Sequence, residues 1–225
     1  MENTEEIYTD FARVYDELMD NTPYEMWCER LNRLIAAYGV SKPERDAEGI
    51  LDSERNLVVD LGSAPGAWSQ YLRRKLAPQG AATGALNGRI IALDILPMEP
   101  VEGVQFLQGD FREEAVLQKL QSLLQGKKAD VVVSDMAPNL SGVESADSAR
   151  VAHLIELAVE FAQQHMKPEG ALVVKMFHGS GYSQLVELFR QYFVTVRPIK
   201  PKASRDKSSE TFLVGMKLKH PNKSP

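Results

Sequence analysis

The sequence predicts a three-layer α/β fold with a mostly parallel sheet, on three observations. Short apolar runs alternate with amphipathic stretches at helical spacing along most of the chain. The run Leu57, Val58, Val59 is apolar without alternation, as in a parallel strand covered on both faces. Two last runs, FVTVRP and ETFLVGMKL, are separated by a mostly basic and polar segment, which suits a long hairpin and an antiparallel final strand.

Taken in order, residues 4–20 and 23–38 predict two helices. Phe11, Val14, Tyr15 and Leu18 recur at helical spacing, Thr22 can cap the second helix, and Pro23 fits its first turn. Residues 41–56 are polar and broken by Pro and Gly, a connector into the first strand. A helix from Gly66 to Ala77 follows that strand, and the loop PQGAATGALNG, which looks expendable, leads to the second strand, RIIALD. VQFLQGDF, the helix EEAVLQKLQSLL and a strand from Ala129 to Ser134 come next. A long helix from Ser148 to Met166, the strand GALVVKMF after a Pro-Glu-Gly turn, and the helix YSQLVELFRQYF precede the final hairpin. The expected organisation is a helical flank and connector over 1–55, a catalytic domain over 56–219 and a tail over 220–225.

The stretch LVVDLGSAPGAWSQY joins the first strand to a turn bracketed by Gly62 and Gly66, where backbone can approach a ligand closely. The spacing is G-x-x-x-G, not G-x-G-x-x-G, and Pro65 stiffens the turn, so a dinucleotide is disfavoured. RIIALD ends in Asp94, where a carboxylate can accept both hydroxyls of a ribose; Asp110 closes VQFLQGDF where it could reach an adenine amino group. No G-x-x-x-x-G-K-[ST] occurs, which argues against a triphosphate held by a phosphate loop. Adenosine without a phosphate grip points to S-adenosylmethionine. An ordinary glycine turn with incidental acids explains the turn alone better than it explains all three strand ends together.

With 225 residues, 44% hydrophobic and 25% charged, the chain fits one globular domain with a sizeable core. A single cysteine, Cys28, excludes an internal disulfide and a multi-cysteine zinc site, and no leading apolar segment resembles a signal peptide or membrane span. A cytoplasmic protein without membrane contact is expected. His153, His165, His178 and His220 lack the spacing of a metal motif, so no metal is expected. The net charge of -5 hides an asymmetry: residues 1–50 carry 12 acids against 5 Lys/Arg, whereas the chain from Arg197 onward carries 8 Lys/Arg against 2 acids. That last segment is a candidate contact for a phosphate backbone, or a solvated tail.

Together VVDLGSAPGAWSQYL, IIALDILPM, VQFLQGDFRE, SDMAPNLSGVESAD, LVVKMF and SRDKSSETFLV resemble the FtsJ/RrmJ (RlmE) family of ribosomal RNA ribose 2′-O-methyltransferases, in order, from about Asn56 to Lys219. The resemblance implies a Rossmann-like class I S-adenosylmethionine-dependent methyltransferase fold, a seven-stranded sheet whose last strand is antiparallel. It implies S-adenosylmethionine as donor and a uridine of 23S rRNA within the large ribosomal subunit as acceptor, with a monomer expected. By the same resemblance Gly66, Trp68, Asp94, Asp110 and Asp135 form the cofactor site.

The residues also make chemical sense by themselves. A ribose hydroxyl has a pKa far above neutrality, so methyl transfer needs a positioned base and an in-line donor. Lys175 lies on a strand of Val and Phe, where desolvation keeps part of a lysine neutral; a strand-end lysine snorkelling to water is the plainer alternative. Asp135 and Glu210 can hold its ammonium from either side. In the family a second lysine, within a basic S-R-A-x-x-K-L segment, opposes those acids; this chain lacks the segment, and Lys42 is the sole lysine before Leu57. The acidic N-terminal helices instead resemble those of small-molecule methyltransferases, as in a chimera. Two alternatives follow: a small-molecule enzyme whose Tyr8, Tyr15, Tyr24 and Trp27 line a lid, and a catalytically impaired cofactor-binding module.

Overall fold

A computed structural model describes residues 56–77, 84–138, 141–177, 179, 181–200 and 210–219. The helices expected over 4–20 and 23–38, Lys42, His178 and the tail lie outside the described residues. Within them the elements run β1 (Leu57–Leu61), α1 (Ala67–Leu76), β2 (Arg89–Asp94), β3 (Val104–Gln108), α2 (Glu114–Leu124), β4 (Ala129–Ser134), α3 (Glu144–His165), β5 (Met166–Phe177), α4 (Tyr182–Tyr192), β6 (Phe193–Ile199) and β7 (Glu210–Leu218).

The strands form one sheet in the order β3-β2-β1-β4-β5-β7-β6. Pairings from β3 through to β5 are parallel, whereas β7 runs antiparallel to both β5 and β6, as the hairpin reading requires. Parallel neighbours need a crossover, which helices supply except between β2 and β3, joined by the irregular segment 95–103. The order reverses between β1 and β4, which places a crevice at their carboxyl ends, the position where open α/β sheets bind ligands.

The period of two along each strand sorts side chains onto two faces. On one, Val59, Leu61, Ile91, Leu93, Val132, Leu172 and Val174 pack against α2, α3 and α4 in the main core. Helix α2 meets it with Val116, Leu120 and Leu124, a four-residue repeat that stacks one apolar stripe. On the other face, Val58, Val131, Val133, Ala171, Val173, Phe212 and Val214 pack against Trp68 and Tyr71 of α1. Continuing that second face by two residues from each strand brings Asp60, Asp94, Asp135 and Lys175 to the carboxyl ends.

Two boundaries and one loop differ from the sequence expectation. Helix α3 begins at Glu144, four residues before Ser148, because Asp147 reaches back from the first turn to accept the backbone N–H groups of Ser141 and Gly142 at 2.8 and 2.9 Å. Strand β5 begins at Met166, not Gly170: the ladder resumes across an irregularity, with Ala129 opposite Met166 and Lys167 paired to Asp130 at 2.8 Å. The end of the loop before β2 is not expendable, since Leu86 packs on Ala77 and Ile90 and the Gly84 carbonyl accepts from Arg73 at 3.0 Å.

Candidate active site

The turn after β1 is built by its neighbours. The Gly62 and Ser63 N–H groups both donate to the Leu93 carbonyl, at 2.8 and 3.2 Å, and the Asp135 N–H donates to the Leu61 carbonyl at 2.9 Å. Gly62 has φ +76°, and a Cβ there would lie 2.6 Å from the Met136 nitrogen, so no other residue fits between the turn and the segment after β4. Gly66, at φ +119°, caps α1 without a side-chain hydrogen bond and has the Met98 side chain alongside, its sulfur 3.3 Å from where a Cβ would stand.

Asp94 is both part of this scaffold and an acceptor still open. Its Oδ2 accepts the Ala64 N–H at 2.9 Å and its Oδ1 the Leu96 N–H at 2.8 Å, one on each oxygen. A carboxylate offers about four acceptor directions, which leaves roughly one per oxygen for a pair of hydroxyls. Burial pushes its pKa above the ordinary carboxylate value, against the pull of the backbone donors. Asp110 sits just past β3, where the Gly109 N–H donates to the Asp94 carbonyl at 2.8 Å, and its carboxylate is forked by Arg112.

Lys175 is only 8% exposed in its side chain and is ion-paired with Asp135. It faces Phe212 across the β5–β7 ladder, while Glu210 faces Phe177, so Lys175 and Glu210 lie diagonally on one face. Burial raises the Glu210 pKa; the neighbouring Lys175 opposes that rise and Asp135 adds to it. The structure therefore brings Lys175, Asp135 and Glu210 together, with Asp94 and the glycine turn on the far side of Asp135.

The Trp68 side chain lies in the core beside the turn. Its indole is 6% exposed and packs edge-on to Phe212, with ring centroids 5.6 Å apart, within the core. Its backbone N–H lies in the first turn of α1, where the leading N–H groups of a helix have no intrahelical acceptor. Of the expected basic segment, Lys202, Arg205, Lys207 and Lys223 lie outside the described residues. Lys217 pairs with Glu169 at 3.6 Å and Lys219 donates to the Arg190 carbonyl at 2.5 Å, both at the end of β7 away from Glu210.

Two residues that sequence reasoning passed over complete the site. Asp60 is fully buried beneath the turn, its Oδ2 accepting from the Ser69 hydroxyl at 2.6 Å while its Oδ1 has no partner. Burial drives its pKa up to about 7, with Ser69 opposing and Asp135 and Asp94 adding to the rise. The Ser63 hydroxyl is likewise buried and without a partner. An acid two residues before a glycine turn, and a serine within it, were the available signals.

A doubly wound sheet with an antiparallel seventh strand, a glycine turn braced by an acid at the end of β2, and a buried lysine across the crevice define an S-adenosylmethionine-dependent methyltransferase. The chain belongs to the FtsJ-like methyltransferase family, whose profile matches residues 35–218. Among its relatives is the ribosomal RNA large subunit methyltransferase E of Paracidovorax citrulli, 77% identical over 163 residues that span 72% of this chain and 75% of the relative. The protein of the same name from Variovorax paradoxus is 66% identical over 200 residues, 88% of this chain and 89% of the relative. Among solved structures, a Plasmodium falciparum protein assigned as a ribosomal RNA methyltransferase superposes with a TM-score of 0.65 at 25% identity, over 85% of this chain and 96% of its own. Aeropyrum pernix fibrillarin, solved with natively bound S-adenosylmethionine, shares the fold at 13% identity with a TM-score of 0.50, over 74% of this chain and 69% of its own.

The donor is S-adenosylmethionine, and the residues present fit it. Asp94 keeps acceptor capacity beside the turn, and with Asp135 and Glu210 it gives the carboxyl ends of the strands an acidic lining suited to a cationic ligand.

Proposed function

We propose that this protein methylates a ribose 2′-hydroxyl, on a uridine of 23S rRNA within the large ribosomal subunit, as a monomer in the cytoplasm. The observation that carries the chemical part is the buried Lys175, paired with Asp135 and flanked by Glu210 at the mouth of the crevice. The names of the relatives at 66% and 77% identity support the substrate.

In this reading Asp94 accepts from the hydroxyls of the donor ribose, Asp110 accepts from the amino group of its adenine, and the backbone N–H groups at Gly66 and Trp68 donate to the methionine end. The bound cofactor supplies a methyl group on a sulfonium, an electrophile that an oxygen can attack in line. Lys175, in its neutral form, takes the proton from the 2′-hydroxyl as that oxygen bonds to the methyl carbon and the carbon–sulfur bond breaks. Asp135 and Glu210 aim the amine and then hold the ammonium it becomes. Most of the rate is expected from alignment, because a lysine displaced by even an ångström no longer reaches the proton.

The test is mass spectrometry of 23S rRNA from undermethylated large subunits incubated with the protein and donor. Wild type should add one 2′-O-methyl group and Lys175→Ala none. A Lys175→Ala protein that methylates at the wild-type rate would remove the lysine from the mechanism, and no product from wild type would remove the substrate.

A further inference from the structure

Arg112 has no part in the chemistry above, yet its side chain is committed to one of the residues that does. The Asp110 Oδ1 accepts the Arg112 backbone N–H at 2.9 Å and the Arg112 Nε at 2.9 Å; Oδ2 accepts Nε at 3.1 Å and Nη2 at 2.5 Å. An ordinary surface pair contributes little and holds neither partner still. Here the partners are unequal: the Asp110 side chain is 19% exposed and that of Arg112 58%, so the carboxylate sits in the fold and the guanidinium covers it from outside.

The hydrogen bonds decide what the carboxylate can still do. Three N–H groups reach the carboxylate, with Nε shared between its two oxygens, so about three of its four acceptor directions are taken and about one stays open. The guanidinium also keeps the carboxyl below its ordinary pKa, mainly through the side-chain hydrogen bonds, so it stays acceptor-only. A planar fork fixes the carboxylate plane, which a single ammonium cannot do. Asp110 is thereby reduced from a rotating group with several acceptors to one oriented acceptor beside the end of β2.

We propose that Arg112 is a positioning residue that sets the purine specificity of the donor site, making Asp110 select a 6-amino purine over a 6-oxo purine. This rests on the reading of Asp110 as the acceptor for the adenine amino group. A 6-oxo purine presents an oxygen there, and an acceptor facing an acceptor leaves both unpaired. A carboxylate released from Arg112 can turn away or admit a bridging water, and the penalty shrinks.

Calorimetric titration of S-adenosylhomocysteine against S-inosylhomocysteine, its 6-oxo analogue, tests this on wild type, Arg112→Ala, Arg112→Lys and Asp110→Asn. Wild type should prefer the amino compound by at least about tenfold, and both Arg112 variants should lose most of that ratio at unchanged melting temperature. Lysine should fail to rescue, since it restores charge without the fork. With saturating donor kcat should hold while the donor KM rises. If Asp110→Asn flattens the ratio but both Arg112 variants keep it, the positioning role is overturned. If Asp110→Asn itself keeps the wild-type ratio, the reading of Asp110 as the base acceptor is overturned instead.

Discussion

Replacing Asp60 with asparagine should make the stability of the protein less dependent on pH, and the structure gives both sign and size. Asp60 is completely buried, with one oxygen bonded to the Ser69 hydroxyl and the other to nothing. Its carboxyl is lifted from 3.8 to about 7, above all by burial. A group with a raised folded-state pKa stabilises the fold fully below its unfolded pKa and loses that contribution as pH climbs through the folded value. The loss falls between about pH 4 and about pH 7, and at 1.36 kcal/mol per unit it is bounded by roughly 4 kcal/mol. Asparagine keeps the shape and the acceptor for Ser69 but has no charge to bury. Urea unfolding of both proteins without cofactor, at about pH 4 and about pH 7.5, should show near-equal stability in acid and a more stable variant at the higher pH. Asp94 and Glu210 also have raised pKa values and Asp110 a lowered one, but those contributions are common to both proteins and largely cancel in the difference. Parallel stability curves across this range would refute a buried, up-shifted Asp60.

Asp94→Ala should weaken S-adenosylmethionine binding by about 1.5 to 3 kcal/mol, the scale of hydrogen bonds to a charged acceptor, as read by calorimetry. It also strips the Ala64 N–H of its partner, and an unchanged affinity would remove Asp94 from the ligand site. Gly62→Ala should destabilise the fold by about 2 kcal/mol or more, seen as a lower melting temperature, because the added Cβ meets the Met136 backbone at a left-handed φ. Glu210→Gln should lower kcat for methyl transfer about tenfold at fixed pH, since Glu210 and Lys175 lie on one face of the sheet and the carboxylate helps to aim the amine, and an unchanged kcat would separate Glu210 from the base.

How much of this could be read from the residues depends on whether a feature is set by local period or by packing between distant elements. Asp94 and Lys175 were legible because each continues the face of its strand by two residues, a property of any extended chain. The antiparallel β7 was legible from a segment too short and too polar to hold a crossover helix. The direction of the Trp68 indole was not, since it depends on how α1 lies across β5 and β7, where Phe212 receives it. The Arg112 fork on Asp110 was equally hidden: two residues at this spacing share a side in any extended segment, and only the turn after β3 brings the guanidinium onto both carboxylate oxygens. Helix α3 was read to start at a serine, a common cap, but the cap position is Val143 and the holding carboxylate comes from inside the first turn.

Asp135 links the two halves of the site. Its charge raises the pKa values of Asp60, Asp94 and Glu210, while its own carboxylate is tied to Lys175. Four acids around one lysine repel one another in a poorly solvated crevice, and a ligand bearing a sulfonium and an ammonium relieves that repulsion where a neutral nucleoside does not. Lys175 stands to one side of that group, buried and ion-paired with Asp135, while Glu210, whose pKa burial raises, lies diagonal to it on the same face of the sheet. As the proposed base it is thus aimed by carboxylates from two neighbouring strands rather than enclosed by all four acids.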